Sequence, residues 1–228
     1  MLNYEVDRSV VAPLVPARTE IDAWDGRTYV SVVGFLFLDT RVLGLPIPFH
    51  RHFEEVNLRF YVRHKAAEGW RRGVVFVKEM VPRAAIAFVA RTLYNENYVA
   101  MPMAHALTET AVRVERAAYS WNSGGRKHSM AVAIGSDPQA PVPGSQEEFI
   151  AEHYWGYTAQ RDGGTVEYHV QHLPWKVARA THAELDCDVR QVYGEAFVEP
   201  LQARPASAFL ADGSAVTVSR GVRLGVGR

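Results

Sequence analysis

The residues of this chain best suited to chemistry lie in the run from Glu55 to Tyr61. Glu55, Asn57, Arg59 and Tyr61 stand at every second position, and Val56, Leu58, Phe60 and Val62 alternate with them. Successive side chains of a strand point to opposite faces. The spacing therefore predicts one apolar face and one face bearing an acid, an amide, a guanidinium and a phenol. Turned to water, that ladder is an ordinary solvated strand surface. Turned inward, it brings four polar groups to one cavity, where Arg59, Asn57 and Tyr61 can hold a carboxylate or carbonyl ligand, the arginine by two parallel hydrogen bonds. Asparagine is depleted in strands, which inclines the reading toward the inward face. A buried Arg59 needs an acid nearby, and Glu55 and Glu79 can serve.

Lys78-Glu79 closes an otherwise apolar stretch. A lysine desolvated there has a lowered pKa and can attack a carbonyl as an amine; the plainer alternative is a strand-end lysine reaching water beside Glu79. His50-Arg51-His52 sets two imidazoles on one side of an extended segment, with Glu54 following in period two, yet local spacing fixes no third ligand and no metal is assigned. His169 and His172, three apart on a strand, face opposite sides, and His105, His128, His153 and His182 form no pattern. There is no nucleophile elbow, phosphate-cradling loop or dinucleotide fingerprint, so no cofactor is expected. Cys187 lies between Asp186 and Asp188, whose charges disfavour a thiolate. Trp121, Tyr154, Trp155, Tyr157 and Trp175 can line a cavity, although hydrophobic core is the default for such residues.

The elements that must position these groups are mostly strands. Tyr29 to Phe37 is apolar on both faces, with Gly34 allowing a bend. The Glu55–Arg63 alternation and the run Arg71 to Glu79, joined around Glu68-Gly69, form a long antiparallel hairpin. Pro82 opens a helix to about Tyr94, with Ile86, Val89, Ala90 and Leu93 on one face. One strand is expected from about Ala106 to Ser120, and another from Met130 to Ile134. Ser145-Gln146-Glu147-Glu148 matches a capping box at the start of a short helix. Tyr157 to Arg161, Thr165 to His172 and Val177 to Ala183 follow as strands, with Asp162-Gly163-Gly164 a hairpin turn. The fold class is α+β, mainly β: an antiparallel β-barrel or cone with two or three flanking helices.

At 228 residues, 48% apolar and 22% charged, the chain suits one β-rich domain, with a loop seam over the proline-bearing stretch 135–144. Twenty-five basic residues balance twenty-five acidic ones, which leaves no positive excess to neutralise phosphates and excludes nucleic acid as the expected partner. No run approaches the ~20 apolar residues that span a bilayer, so no membrane partner is expected. A single cysteine excludes an intramolecular disulfide and a cysteine-based zinc site. Met1 to Arg8 carries charges at Glu5, Asp7 and Arg8 and no signal-like apolar run, and a cytoplasmic location is expected. Leu2 to Val6 already reads as ordered protein, which suggests a missing upstream segment. A small-molecule ligand is the expected partner, and a homo-oligomer is left open.

The run His50-Arg51-His52-Phe53-Glu54-Glu55-Val56-Asn57-Leu58-Arg59-Phe60-Tyr61-Val62, the later Arg72-Gly73-Val74-Val75-Phe76, and Ala90-Arg91 through Tyr94-Asn95-Glu96 to Tyr98 resemble the YqjF-like family of uncharacterised bacterial proteins. The resemblance covers about Asn3 to Pro200 and implies an acetoacetate-decarboxylase-like fold, a β-barrel-like cone with an internal cavity. Acetoacetate decarboxylases form a Schiff base through a lysine in a Pro-Lys-Lys setting. The comparable place here reads Pro102-Met103-Ala104. The resemblance thus implies that the amine is absent, that Met103 makes the pocket floor apolar, and that the decarboxylase reaction is not inherited. It also implies that Glu54 or Glu55 matches the acid on the preceding long strand. The candidate ligand-binding set is therefore Glu55, Asn57, Arg59, Tyr61, Lys78, Glu79, Tyr94 and Met103. Whether the chain is an enzyme is left open, with a Schiff-base lyase through Lys78 or a non-catalytic interaction protein as alternatives.

Overall fold

The computed structural model describes residues 1–42, 45–46, 51–83 and 97–224. The first half holds β1 (Leu2–Val6), β2 (Thr19–Ile21), β3 (Thr28–Phe37), β4 (Arg41–Val42), β5 (Leu45–Pro46), β6 (Phe53–Ala66), β7 (Gly69–Val81), β8 (Tyr98–Ala100) and β9 (Met103–Glu109). The second holds β10 (Val114–Ser123), β11 (Arg126–Ile134), β12 (Trp155–Ala159), β13 (Thr165–His172), β14 (Val177–Asp186), β15 (Ser207–Ala211), β16 (Val216–Val218) and β17 (Val222–Leu224). The short helices are α1 (Arg8–Val11), α2 (Gln146–Ala151), α3 (Val189–Tyr193) and α4 (Val198–Gln202).

Fifteen of the described strands form one sheet, in the order β16-β13-β12-β7-β6-β3-β1-β15-β14-β11-β10-β9, with β17 on β13, β2 on β6 and β8 on β7. β7 pairs in parallel with β12 and β8, and the other pairs in the sheet are antiparallel. The β6–β7 hairpin runs where the alternation and the turn at Glu68-Gly69 place it, with one register shift between Leu58 and Arg59. That irregularity sets Asn57 opposite Glu79 but Arg59 opposite Phe76, so Val77 of β7 is the extra residue of a bulge.

Among the described strands the sheet curls but does not close. Its end strand β9 comes back against one face of β6, where His105 meets Glu54. The mainly β architecture stands, but the expected barrel or cone is not closed among the described residues, where no ladder of backbone hydrogen bonds joins β9 to β6 or to β16. Gly34 of β3 permits part of this curl. A Cβ there would lie 2.5 Å from the Tyr119 ring of β10, so only glycine lets the two walls approach this closely.

Two local expectations also change. The single strand from Ala106 to Ser120 is two strands, β9 and β10, joined by a turn at Thr110–Arg113. The Thr110 hydroxyl accepts from the backbone amides of Val112 and Arg113, supplying the chain with a local partner in place of a ladder bond. Among the described residues there are four short α-helices, the longest of them six residues. In the capping box, Ser145 accepts from the Glu148 amide at 3.2 Å, but the Glu148 carboxylate accepts from Gly144, one residue earlier than the reciprocal motif requires. The helix expected over 82–94 lies outside the described residues beyond Arg83.

The core sits inside the curl. Val56, Leu58, Phe60 and Val62 of β6 pack with Val30 and Val32 of β3, Leu2 and Tyr4 of β1, Tyr119 and Trp121 of β10, and Met130 and Val132 of β11. Val189, Val192, Tyr193 and Leu201, from α3 and α4, close the same core. The other face of β6 is buried too, beneath α2, where Tyr61, Tyr29, Val74, Phe149, Ile150 and Phe209 form a separate cluster.

Candidate functional site

Strand β6 is covered on both sides, so its polar ladder is not a wet surface. Glu55 is 1%, Asn57 2% and Tyr61 1% exposed, and Arg59 is partly buried. The ladder lies on the face away from the main core. At one end Asn57 Nδ2 donates to Glu55 Oε1 at 3.0 Å, and Tyr98 of β8 donates its hydroxyl to Glu55 Oε2 at 3.0 Å. Glu79, paired with Asn57 across the hairpin, is 2% exposed in the same patch. Burial, with the charges of Glu55 and Glu79 beside it, holds the Tyr98 phenol well above its ordinary pKa, so it acts as a donor. Asn57 Oδ1 is buried and has no hydrogen-bond partner among the described residues.

Toward the other end the ladder meets α2. Arg59 donates to the Ile150 carbonyl at 3.2 Å, touches Met1 Sδ at 4.0 Å, and lies 5.7 Å from the Tyr61 ring centroid. Among the described residues its buried Nε has no partner, and none of the ion pairs includes it. Tyr61 lies 2.5 Å from Ser31 Oγ, which donates to Asn3 Oδ1 at 2.7 Å. The acids expected to neutralise Arg59 thus sit farther along the strand, where Glu55 is taken by Asn57 and Tyr98.

Beside Tyr61 is a cluster without a signature in the chain. His153 packs 4.7 Å from the Tyr61 ring, and its Nε2 is 3.6 Å from Asp22, which accepts from Arg72 Nε at 2.6 Å. Burial pushes the His153 pKa down to about 4, so the ring is neutral near pH 7. Burial opposes ionisation of Asp22, but the nearby His153 ring and the hydrogen bond and charge of Arg72 outweigh it and hold its pKa below the ordinary value.

Lys78 and Met103 belong to the opposite face. Lys78, paired with Leu58, donates to the Val192 carbonyl of α3 at 2.6 Å, and burial lowers its pKa. It therefore points away from Glu79 rather than sharing water with it, and its amine is already engaged. Nearby, burial and then the Asp188 charge push the Cys187 thiol up to about 12, which leaves it a poor nucleophile. Met103 pairs with Trp121 and packs against the main core. Tyr94 and His50 lie outside the described residues.

Sequence reasoning missed a pair on this concave face. His105 Nδ1 lies 2.6 Å from Glu54 Oε1, and the Glu54 side chain is 15% exposed against 40% for His105. Period two along β9 puts His105 on the side of Met103, a signal that was available, but nothing local links positions 54 and 105.

A profile of conserved proteins without characterised function matches residues 1–215. The chain belongs to the DUF2071 family. Among its relatives, the uncharacterized protein YqjF of Bacillus subtilis (strain 168) is 27% identical over 179 residues, 78% of this chain and 71% of YqjF. This DUF2071 chain also shares its fold with acetoacetate decarboxylase from Legionella pneumophila subsp. pneumophila str. Philadelphia 1. That match has a TM-score of 0.63 and 11% identity, over 98% of this chain and 83% of the decarboxylase. The enduracididine biosynthesis enzyme MppR, complexed with pyruvate, superposes with a TM-score of 0.61 and 13% identity over 100% of this chain and 85% of MppR. At these identities the solved structures establish the fold, and the chemistry must be argued from the residues.

Proposed function

We propose that this DUF2071 protein binds a small organic acid or carbonyl compound, with Arg59 as the anchor and Asn57 and Tyr61 beside it. The observation that carries this reading is a partly buried guanidinium whose described partners are a carbonyl and a thioether, with no carboxylate. A partly buried cation without an acid is less favourable than a paired one, and an anionic ligand, which it can grip by two hydrogen bonds, supplies that pair. The unpartnered Asn57 Oδ1, one strand step along the same face, asks for a hydrogen-bond donor and so suits the hydroxyl of a hydroxy acid or an enol. MppR, which shares the fold, is known in complex with pyruvate, and this supports the ligand class without fixing the position.

The test is calorimetry and native mass spectrometry with pyruvate and lactate as probes, on wild type and Arg59→Ala. Binding is expected in the wild type and is weakened by roughly 10- to 100-fold in Arg59→Ala, the range of a lost charged hydrogen bond, with the thermal midpoint kept. Equal binding by the two proteins, or none by the wild type, overturns the reading.

A further inference from the structure

Glu54 and His105 come from strands seven places apart along the curled sheet and meet across its concave side. Tyr119, paired directly with His105 in the β9–β10 ladder, shares this side and rests on Gly34. Directly opposed residues hold their Cβ atoms about 5 Å apart. The Glu54 charge also reaches Tyr119, whose phenol is pushed up to about 12 by burial first and by that carboxylate second, and so stays protonated. Glu54 is mostly buried and engages Nδ1 of the imidazole. Nε2 has no partner among the described residues, and the ring is 40% exposed. A carboxylate on Nδ1 fixes the tautomer in which Nδ1 carries the proton and Nε2 bears the free lone pair. A surface ion pair would have two wet partners; here the acid is sunk into the wall and only the base is presented.

We propose that His105, positioned by Glu54, is a general acid–base catalyst for proton transfer at the carbon beside the carbonyl group of an uncharged carbonyl compound. Nε2 takes a proton from that carbon, the C–H electron pair becomes the carbon–carbon double bond of the enolate, and the charge passes to the carbonyl oxygen, where the Tyr119 hydroxyl donates. Return of the proton from Nε2 to carbon restores the ketone, so nothing is consumed. The uncharged class follows from the surroundings. Leu36, Met101 and Met103 pack into the same core, and Lys78, on the same face, has its ammonium on the Val192 carbonyl. The site lies across the sheet from Arg59 and does not depend on it.

The test follows deuterium uptake at the α-carbons of butanone by proton NMR in D2O, with the full chain. Wild type is expected to exchange faster than buffer, His105→Gln to lose about 100-fold or more of the excess, and Tyr119→Phe to lose a smaller share. In Glu54→Gln, 15N NMR of the His105 ring is expected to show the proton spread between Nδ1 and Nε2 instead of fixed on Nδ1, with the thermal midpoint unchanged. Exchange no faster than buffer in the wild type, or undiminished in His105→Gln, overturns the proposal. Neither result bears on pyruvate binding at Arg59.

Discussion

The two faces of β6 are built from alternate residues of one strand and are buried by different means. Val56, Leu58, Phe60 and Val62 enter a continuous core made by strands from both halves of the chain, and each is 0% exposed. Glu55, Asn57, Arg59 and Tyr61 are covered instead by α2, β8 and polar neighbours that satisfy them one by one. The first face is held by volume and contact, the second by hydrogen bonds and charge. Burial alone therefore says little about a face. Along the polar side of β6 that satisfaction is incomplete among the described residues, at Asn57 Oδ1 and Arg59 Nε.

Measurements on variants of each face test this contrast. Phe60→Ala removes a fully buried ring from the concave face and should lower the unfolding free energy by roughly 3–5 kcal/mol, with little dependence on pH, in urea titrations. A loss that varied strongly with pH would mean that the two faces are not separable.

Acidification should act on the other side. The His153 pKa is about 4 when folded against 6.5 in the unfolded chain, so the unfolded state binds the extra proton between those values. Stability is then full above pH 6.5 and falls as pH drops toward 4, by about 3 kcal/mol for this group. The lowered pKa of Asp22 pushes in the same direction at still lower pH. Denaturant unfolding of wild type and His153→Phe between pH 8 and 4 checks this. The variant should lose most of the slope between 6.5 and 4, and an unchanged slope would place the acid sensitivity elsewhere.

The smallest effect is expected at the helix that covers the polar face. Ser145→Ala removes the N-cap acceptor of α2 and should cost about 1 kcal/mol, read by thermal unfolding. Because α2 supplies the Ile150 carbonyl to Arg59, pyruvate affinity should move with it, whereas butanone exchange on the concave side should not.

Much of this was legible in the residues. The β6–β7 hairpin, the strand Thr165–His172, the Ser145 cap and the division of β6 into two faces follow from period-two spacing, turn chemistry and capping preferences, all properties of neighbouring residues. The turn at Thr110–Arg113 was missed because Thr110 does with its hydroxyl what glycine or proline would have signalled openly. The sites were less legible. That Arg59 ends on a helix carbonyl instead of a carboxylate depends on α2, ninety residues away, and the Glu54–His105 pair exists only because the sheet curls.

Which residues alternate, which turns close and which side chains avoid water could be read from the order of residues, since each depends on a few covalent neighbours. Only the tertiary structure decided what covers each face, because curl and helix docking are set by packing between segments distant along the chain. It is that packing which set Arg59 on a helix carbonyl and brought Glu54 to the His105 imidazole.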